Sequence, residues 1–567
     1  MILATAATLL LVGCSTGDLG GGPPSDSAGA TSTGADTRDC PDGLVEALSG
    51  WGERGFSGVV AVRADGSACD VAEGVRDRDA QAPMTTDTVF AIGSVSKAVV
   101  AAGVLSLVED GRLAVTDRVG DLVPGLTGDI GDATIGQLLE HSSGLAGDAG
   151  PDHAPLTRAE AIASISELPI TFEPGTDFGY TNAGYTLLAL VIDEITGDYR
   201  GFVARELLAP VDGVERAGFW DGEPAASGER AVGYLDSGPS DQQGEFGGPH
   251  WSMNGNGDLA MSVPQLARWA EAFFTGRLLP AGVVAQASEG RRDLGDGTAV
   301  TFGWARFDES AFGAPGIGAA GGGGDTGHQA VVVFLPETST TIAIGSNTTD
   351  VSAEELLAEL VPPIAAGTPV TAPEEIASVP ADESILDAAV GTYWLDDANR
   401  FVVSAVDAGL QVEALGERAV EVLFPLPEGL EAEAAERHEA AVVSLLTGDD
   451  ELGAEERELL AEVVGAITDV TVEGTLVDGG ELRTYVTVRG RSDSILLWYA
   501  LDERGAIAGA EGPTDPPSAM IVPLADGRFA HTDPAGRRDD VLLAFDGGGL
   551  TVDGAGARVV ATRDDKG

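Results

Sequence analysis

The sequence predicts an α/β domain followed by a mainly antiparallel β-barrel domain with a helical insertion. In the first half, short apolar strands at 58–62 and 69–75 precede a helix at 98–111. Beyond residue 383, short alternating segments separated by Gly and Asp turns are typical of an antiparallel barrel or sandwich. An Ala/Glu/Leu-rich stretch at 430–467 has helical periodicity and predicts a helical hairpin within these strands.

Length and composition bound the classes of function. A chain of 567 residues with 43% hydrophobic residues has enough apolar side chains for more than one packed domain. Its 91 acidic residues against 32 basic ones give a formal net charge of −59. So much negative charge repels phosphate backbones and anionic lipid head groups. We therefore expect no nucleic-acid partner.

The N-terminal residues are typical of an export signal. Residues 2–12 form an apolar run too short to span a bilayer, and it ends in small residues before Cys14. The letters LVGC at 11–14 resemble a bacterial lipobox, which implies a signal peptide at 1–14 and lipidation of Cys14. A flexible Gly/Ser/Thr/Asp tether at 15–39 follows. We expect a protein anchored by lipid at the outer face of the cytoplasmic membrane. An ordinary secretory leader with an incidental cysteine is the alternative.

Two cysteines remain after Cys14. An exported chain whose remaining cysteines are Cys40 and Cys69 predicts a disulfide between them, with two free buried thiols as the alternative.

A stretch rich in Pro, Ala, Thr and Glu at 362–382 is typical of a linker. It separates a domain at 40–361 from an accessory β domain at 383–567.

The first chemical feature is a serine and a lysine three residues apart. Ser94 and Lys97 stand where an apolar run at 90–92 passes into the predicted helix, which places them on one helical face. The chain has two lysines, Lys97 and Lys566, and every other basic position except histidine is arginine. Lysine can lose its proton when desolvated, whereas arginine stays charged. We therefore interpret Ser94 as a nucleophile and Lys97 as its proton partner; a chance pattern on a surface helix is the alternative.

The second chemical feature is the Tyr-x-Asn pattern of Tyr180 and Asn182 before a helix capped by Gly197. The phenol can shuttle a proton when a nearby ammonium lowers its pKa, and the amide can donate to a substrate carbonyl. His141 is a further candidate for a general base. Its place at a short helix end before Gly144 favours a structural role.

These motifs resemble the family that joins class C β-lactamases, serine D-alanyl-D-alanine carboxypeptidases, D-aminopeptidases and related esterases. The resemblance rests on 90–97 (FAIGSVSK), 138–145 (LLEHSSGL), 180–182 (YTN), 256–262 (NGDLAMS) and 302–304 (FGW), in the family's order. It implies a β-lactamase/transpeptidase-like fold over about 41–365, with an antiparallel sheet flanked by helices and a helical subdomain. It also implies catalytic roles for Ser94, Lys97 and Tyr180 and a substrate-binding role for Asn182.

The sequence departs from the family at its third motif, which is usually Lys or His, a small residue, then Gly. Aligning Gly327 with the glycine that closes the family's turn puts Gly321 at the Lys or His position. The same alignment gives Gly323 and Gly324 as the oxyanion-binding glycines, with the Gly324 amide joining that of Ser94. A slipped alignment would instead let His328 or Arg306 fill the basic role. The loss puts carboxylate-bearing substrates in doubt.

The accessory domain resembles the lipocalin-like barrel appended to some D-aminopeptidases and related hydrolases, mainly through Gly391-Thr392-Tyr393. We expect it to restrict which substrates enter the cleft; a ligand-binding role is the alternative. Neither half predicts a metal site or a cofactor.

The whole pattern predicts an extracytoplasmic serine hydrolase that forms an acyl-enzyme from ester or amide substrates, as an esterase or a D-amino-acid peptidase or carboxypeptidase does. The substrate would be a small molecule or peptide, including one derived from the cell wall. The protein would contact the membrane only through its lipid anchor. A non-catalytic binding protein that keeps the fold is the rival hypothesis, motivated by the missing basic residue.

Overall fold

The computed structural model describes residues 39–64, 66–235, 238–294, 297–323, 326–348, 351–372, 379, 383–406, 409–426, 430, 432–448, 453–478, 481–501, 505, 507–533, 536–546, 548–554 and 557–564. They divide into two compact units, the first of which ends at Ala372. That division falls inside the predicted linker at 362–382. The predicted signal peptide with Cys14, the predicted tether up to residue 38, and Lys566 lie outside the described residues.

The first unit is built on an antiparallel sheet with the order β10-β11-β12-β13-β14-β15-β1-β2. Smaller pairings, among them β5-β9-β6, lie beside it. The strands of this unit are β1 (Gly58–Ala64), β2 (Ser67–Glu73), β3 (Val75–Asp77), β4 (Ala82–Pro83), β5 (Val89–Ala91), β6 (Gly218–Phe219), β7 (Tyr234–Leu235), β8 (Gly238–Pro239), β9 (Leu259–Ser262), β10 (Arg292–Asp293), β11 (Thr298–Val300), β12 (Ala305–Phe307), β13 (Gly316–Gly323), β14 (His328–Leu335) and β15 (Thr340–Ser346).

Helices cover both faces of this sheet. The helices of the first unit are α1 (Leu44–Gly52), α2 (Ser96–Glu109), α3 (Val119–Leu122), α4 (Ile135–Leu139), α5 (Arg158–Ile165), α6 (Asn182–Thr196), α7 (Tyr199–Phe202), α8 (Val263–Phe274), α9 (Ala281–Ala287), α10 (Glu309–Phe312) and α11 (Ala353–Ala366), with 3-10 turns at Gly93–Val95 and Asp129–Asp132 and a π-helical segment at Val203–Leu208.

Strand alternation divides the core of this unit into two layers. Val59 and Ala61 of β1 pack in the same cluster as α2, α6 and α8, whereas Val60 and Val62 pack with α1 and α11 on the opposite face. This follows from the two-residue period of a strand, which sends successive side chains to opposite faces. The large cluster surrounds α2, so that helix is buried along most of its length. The Ser94 turn therefore leads directly into a buried helix.

Two predicted boundaries change in the structure. The helix predicted at 98–111 begins earlier, at Ser96, and ends at Glu109. Helix α11 continues through Pro362 and Pro363 to Ala366, so the first residues of the predicted linker are helical. A left-handed Gly367 ends that helix, which is the conformation that glycine adopts most easily at a C-terminus.

The second unit contains a closed barrel, as predicted, with the order β16-β17-β18-β23-β24-β25-β26-β27. Its insertion is larger than the predicted helical hairpin, because β19 to β22 form a separate four-stranded sheet. Helices α14 and α15 share an apolar core with that sheet. The elements are α12 (Glu383–Ala389), β16 (Gly391–Trp394), β17 (Arg400–Val406), β18 (Gly409–Leu415), α13 (Glu417–Leu423), α14 (Ala432–Thr447), α15 (Ala454–Val464), β19 (Ile467–Asp478), β20 (Glu481–Gly490), β21 (Ser494–Leu501), β22 (Ile507–Glu511), β23 (Ser518–Pro523), β24 (Phe529–Asp533), β25 (Gly536–Asp546), β26 (Gly549–Gly554) and β27 (Ala557–Arg563).

Cys40 and Cys69 are joined by a disulfide bond. It links the segment before α1 to the second strand of the sheet, 29 positions along the chain. Within the described part of the chain, no helix is both long enough and apolar enough to cross a bilayer.

Candidate active site

Three elements bring Ser94, Lys97 and Tyr180 together. Ser94 lies in the 3-10 turn that leads into α2, Lys97 is the second residue of that helix, and Tyr180 lies two residues before the start of α6. Lys97 Nζ is 2.9 Å from Ser94 Oγ, and the Tyr180 hydroxyl donates to the same oxygen over 2.6 Å. Ser94 is partly exposed while Lys97 is buried. The hydroxyl thus faces solvent with two proton carriers behind it.

Two asparagines hold Lys97 in place. Its ammonium donates to Asn182 Oδ1 and to the backbone carbonyl of Asn256, each over 2.7 Å. The sequence singled out Asn182, and it noted 256–262 as a turn without a chemical role. The Asn256 contact uses a backbone atom, so no side-chain pattern could have indicated it.

Burial lowers the pKa of Lys97 to about 7, because the charged form loses its hydration. The carboxylates of Asp148, Asp152 and Asp258 act in the opposite direction. With a pKa of about 7, roughly half of the Lys97 side chains are neutral at pH 7 and can accept a proton. When neutral, it can donate its two hydrogens to Asn182 and Asn256 and turn its lone pair to Ser94.

Tyr180 differs from the sequence expectation. Burial raises the pKa of Tyr180 above its usual value, and its hydrogen bond to Ser94 offsets this in part. The expectation that a nearby ammonium lowers this pKa is therefore wrong, because desolvation of the phenolate dominates and the charges of Asp148 and Asp152 also raise the pKa. The phenol stays protonated at neutral pH and acts as a hydrogen-bond donor to Ser94.

His141 packs against the ring of Tyr180. Its ring stacks on the Tyr180 ring with centroids 4.5 Å apart, and its Nδ1 accepts from the Thr181 backbone N–H over 3.2 Å. Burial, assisted by the Lys97 charge, lowers the pKa of His141 to about 3. His141 is therefore neutral in the working pH range, in line with the structural role favoured by its position in the sequence.

Asp148 is an acidic neighbour that sequence reasoning missed. It accepts a side-chain hydrogen bond from Asn182 and lies close enough to Lys97 to raise the pKa of that lysine. Burial raises the pKa of Asp148 itself, while Asn182 and Lys97 lower it. Its position in an irregular loop, with no motif around it, gave no signal.

Strand β13 approaches the Ser94 turn at Gly321. A Cβ atom on Gly321 would lie 2.3 Å from the carbonyl oxygen of Ile92 and 2.6 Å from the amide nitrogen of Ser94, so no side chain fits there. The alignment that put Gly321 at the family's Lys or His position is therefore wrong. Gly321 occupies the place of the motif's glycine, and the position two residues earlier on the same strand face is Ala319.

This change of alignment also changes which backbone amide is the candidate oxyanion donor beside that of Ser94. A Cβ on Gly93 would lie 3.5 Å from the Gly322 amide nitrogen, so the Gly321–Gly322 peptide lies beside the nucleophile. Gly323 pairs with His328 further along the strand, and Gly324 lies outside the described residues. The candidate second donor is the Gly322 amide.

Neither alternative basic residue occupies the cleft. His328 is buried, accepts from the Ala91 amide through Nδ1 over 3.1 Å, and packs edge-on against Phe90 and Trp220. Arg306 is exposed on β12, opposite Ile317. Among the described residues, no group of three or more His, Cys, Asp or Glu side chains is arranged to hold a metal ion.

Known proteins resemble this chain in sequence and fold. A family model described as Beta-lactamase matches residues 42–361. The chain is 35% identical over 146 residues to Penicillin-binding protein 4 of Amycolatopsis lactamdurans, which covers 24% of this chain and 38% of that protein. It is 33% identical over 189 residues to Esterase EstB of Burkholderia gladioli, which covers 30% of this chain and 47% of that protein. The matches thus span less than half of either relative.

One solved structure is similar over most of the chain. The octameric penicillin-binding protein homologue from Pyrococcus abyssi superposes with a TM-score of 0.53 at 17% identity, covering 90% of this chain and 98% of that one. At this identity the likeness concerns the fold alone.

Proposed function

The chain belongs to the Beta-lactamase family of serine hydrolases, and from this premise we propose that it hydrolyses ester or amide substrates through an acyl-enzyme on Ser94. The family membership confirms the resemblance inferred from the sequence. The observation that carries the proposal is the pair of contacts on Ser94 Oγ, at 2.9 Å to Lys97 Nζ and 2.6 Å to the Tyr180 hydroxyl.

In the proposed mechanism Lys97 is the base. Neutral Lys97 takes the Ser94 proton as Oγ attacks the substrate carbonyl, and Asn182 and Asn256 hold its Nζ in position. The tetrahedral intermediate collapses, the bond to the leaving group breaks, and the proton passes to the departing oxygen or nitrogen through Lys97 or Tyr180. Water then releases the acyl group by the same proton route.

The developing oxyanion would be bound by the backbone amides of Ser94 and Gly322. The support is the close approach of β13 to the Ser94 turn: a Cβ on Gly321 would lie 2.6 Å from the Ser94 amide nitrogen, and a Cβ on Gly93 would lie 3.5 Å from the Gly322 amide nitrogen. Two amides fixed in a partly buried cleft stabilise the charge without having to reorient. Asn182 keeps an N–H group that can orient the substrate.

Within the enzyme class we favour an esterase or a D-amino-acid peptidase. One relative is named an esterase, and another is named a penicillin-binding protein. We also propose export and lipid anchoring through Cys14, on the support of the lipobox-like residues and the tether that follows. Loss of membrane fractionation in Cys14→Ser, when expressed in a lipoprotein-processing bacterium, tests that part separately.

A fluorophosphonate probe tests the nucleophile. Wild type should be labelled and Ser94→Ala should not, and Lys97→Arg should be labelled at least about 10²-fold more slowly because arginine stays protonated. Ser106→Ala, on the same helix, is the matched serine control and should be labelled at the wild-type rate. Equal labelling of wild type and Ser94→Ala would overturn the proposal in favour of a binding protein.

A further inference from the structure

A pocket of about 80 Å³ opens directly beside the nucleophile. Ser94, Lys97 and Tyr180 line one side of it. Its other walls are mostly apolar and come from β13, from the start of α6 and from the segment between β10 and β12. The apolar residues that the argument uses are Phe178, Leu294, Val300, Trp304 and Ala319.

The position of Ala319 explains why this pocket is open. Ala319 lies two residues before Gly321, so both point to the face of β13 that packs against α2. Gly321 touches the Ser94 turn and fixes the register. At Ala319 the side chain is a methyl group, and the space in front of it is the pocket.

The two titratable bases that line the pocket have no capacity left for an anion. Lys97 Nζ is already engaged by Ser94, Asn182 and Asn256, which accounts for all three hydrogens of an ammonium. Burial keeps His141 neutral, with its pKa lowered to about 3. Among the described residues that line the pocket, none offers a carboxylate a cationic group with a free N–H, so a carboxylate placed here would be desolvated without a hydrogen-bonded cation.

The neighbouring charges oppose an anion as well. The carboxylates of Asp148 and Asp152 act on both Lys97 and Tyr180. Their potential is negative at this site, and the chain as a whole carries −59. An uncharged group therefore enters this pocket at the lowest cost in desolvation and repulsion.

Proton transfer assigns the pocket to the leaving group. The proton that Ser94 loses must reach the departing atom, and its two carriers, Lys97 and Tyr180, both line this pocket. The bond from Ser94 Oγ to the carbonyl carbon forms, the bond to the leaving oxygen breaks, and that oxygen receives the proton. The alcohol part of an ester is thus released where these two side chains meet the apolar wall.

We propose that this pocket is a leaving-group subsite for uncharged alcohols and phenols, and that Ala319 determines this specificity. The inference rests on the proposed acyl-enzyme function and narrows its substrate class to esters of simple alcohols and phenols. Substrates whose leaving group carries a carboxylate, such as peptides with a free C-terminus, are disfavoured.

Three aryl acetates of equal acyl group test the subsite in the full-length protein. Phenyl acetate carries no substituent, 3-(hydroxymethyl)phenyl acetate adds a neutral polar group, and 3-carboxyphenyl acetate adds a charge. We expect kcat/KM for the carboxylated ester to be at least about tenfold below that for both neutral esters. Equal or faster turnover of the carboxylated ester by wild type would overturn the proposal.

Ala319→Lys places a cation in the pocket and should reverse the preference, raising the ratio of carboxylated to neutral turnover about tenfold or more. Thr338→Lys, in the exposed turn between β14 and β15, adds the same charge elsewhere and should leave the wild-type ratio. An unchanged ratio in folded Ala319→Lys would contradict the role of Ala319.

A second variant and the fluorophosphonate probe separate the possible failures. Ala319→Leu fills the pocket and should slow turnover of phenyl acetate, while labelling by a probe whose leaving group is fluoride stays within about threefold. If wild type is not labelled, the acyl-enzyme function fails. If it is labelled but Ala319→Leu and wild type hydrolyse phenyl acetate equally, the subsite alone is overturned.

Discussion

Lys97 donates to the side-chain oxygen of Asn182 over 2.7 Å, and this contact fixes which end of the amide faces the lysine. The NH₂ group of Asn182 is thereby turned away from Lys97, and it donates to Asp148. The amide thus connects a buried base to a carboxylate that the sequence motifs do not include. Because Asp148 also raises the pKa of Lys97 through its charge, the two groups are coupled electrostatically.

Asp148→Asn should move the acid limb of the pH profile to lower pH. Lys97 acts as a base when neutral, so kcat/KM falls as the pH drops through its pKa of about 7. The Asp148 carboxylate stabilises the ammonium, and removing that charge lowers the pKa of Lys97 further. The limb should shift downward on the order of one pH unit, measured with a neutral ester.

Asp110→Asn is the matched control for this shift. Asp110 is exposed just beyond the end of α2, on the order of 20 Å along the helix from Lys97, and the variant removes the same charge. Its pH profile should coincide with that of wild type. An upward shift in Asp148→Asn, or equal shifts in both variants, would argue against the coupling.

Gly321→Ala should damage both activity and stability. Its Cβ would meet backbone atoms of Ile92 and Ser94 at 2.3 and 2.6 Å, so the strand and the nucleophile turn must separate. We expect kcat/KM to fall about 10²-fold and the free energy of unfolding to fall by about 1–3 kcal/mol. Gly322→Ala is the matched variant, because a Cβ there meets nothing within 4 Å. Its denaturant midpoint should stay near that of wild type; equal destabilisation of both would contradict the register assigned to β13.

The Ser94 and Lys97 pair could be predicted from the sequence because it is local. Two residues three apart at the start of a helix share a face in whatever fold surrounds them. Lysine is scarce in this chain, in which arginine occupies nearly all cationic positions, and this scarcity indicated a special role for Lys97. The class of the two domains was also predictable, since strand and helix periods are local properties.

The register of β13 could not be predicted in the same way. A run such as Gly321 to Gly324 carries no side-chain pattern, so nothing in it distinguishes one alignment from the next. Contact with the Ser94 turn decides the register, and that contact joins residues more than 200 positions apart. The separate sheet of β19 to β22 escaped prediction for a related reason: alternation indicates strands but not which strands pair.

Loss of the disulfide should lower stability without removing the nucleophile. The bond between Cys40 and Cys69 closes a loop of 29 positions in the unfolded chain. Replacing both cysteines with serine should lower the free energy of unfolding by roughly 3 kcal/mol, measured by urea denaturation. Cys14→Ser is the control and should unfold as wild type does. If reductant destabilises the double variant as much as wild type, the effect does not come from this bond.

His141→Asn should separate a positioning role from a catalytic one. His141 adopts a left-handed backbone conformation with φ of 54°, which asparagine tolerates, and asparagine Oδ1 can replace Nδ1 as the acceptor for the Thr181 amide. The variant should therefore fold but lose the ring that stacks on Tyr180. Without this support the Tyr180 hydroxyl is held less firmly on Ser94, and kcat should fall about tenfold or more.

The pH profile of His141→Asn decides between the two roles. Since the pKa of His141 is lowered to about 3, its ring stays neutral from pH 5 upward and contributes no limb there. The acid limb near pH 7 should persist in the variant, because it belongs to Lys97. If water fills the space that the ring leaves, Lys97 is less desolvated, its pKa rises and the acid limb moves to higher pH. Disappearance of the limb would instead identify His141 as the base, and the assignment of that role to Lys97 would fail.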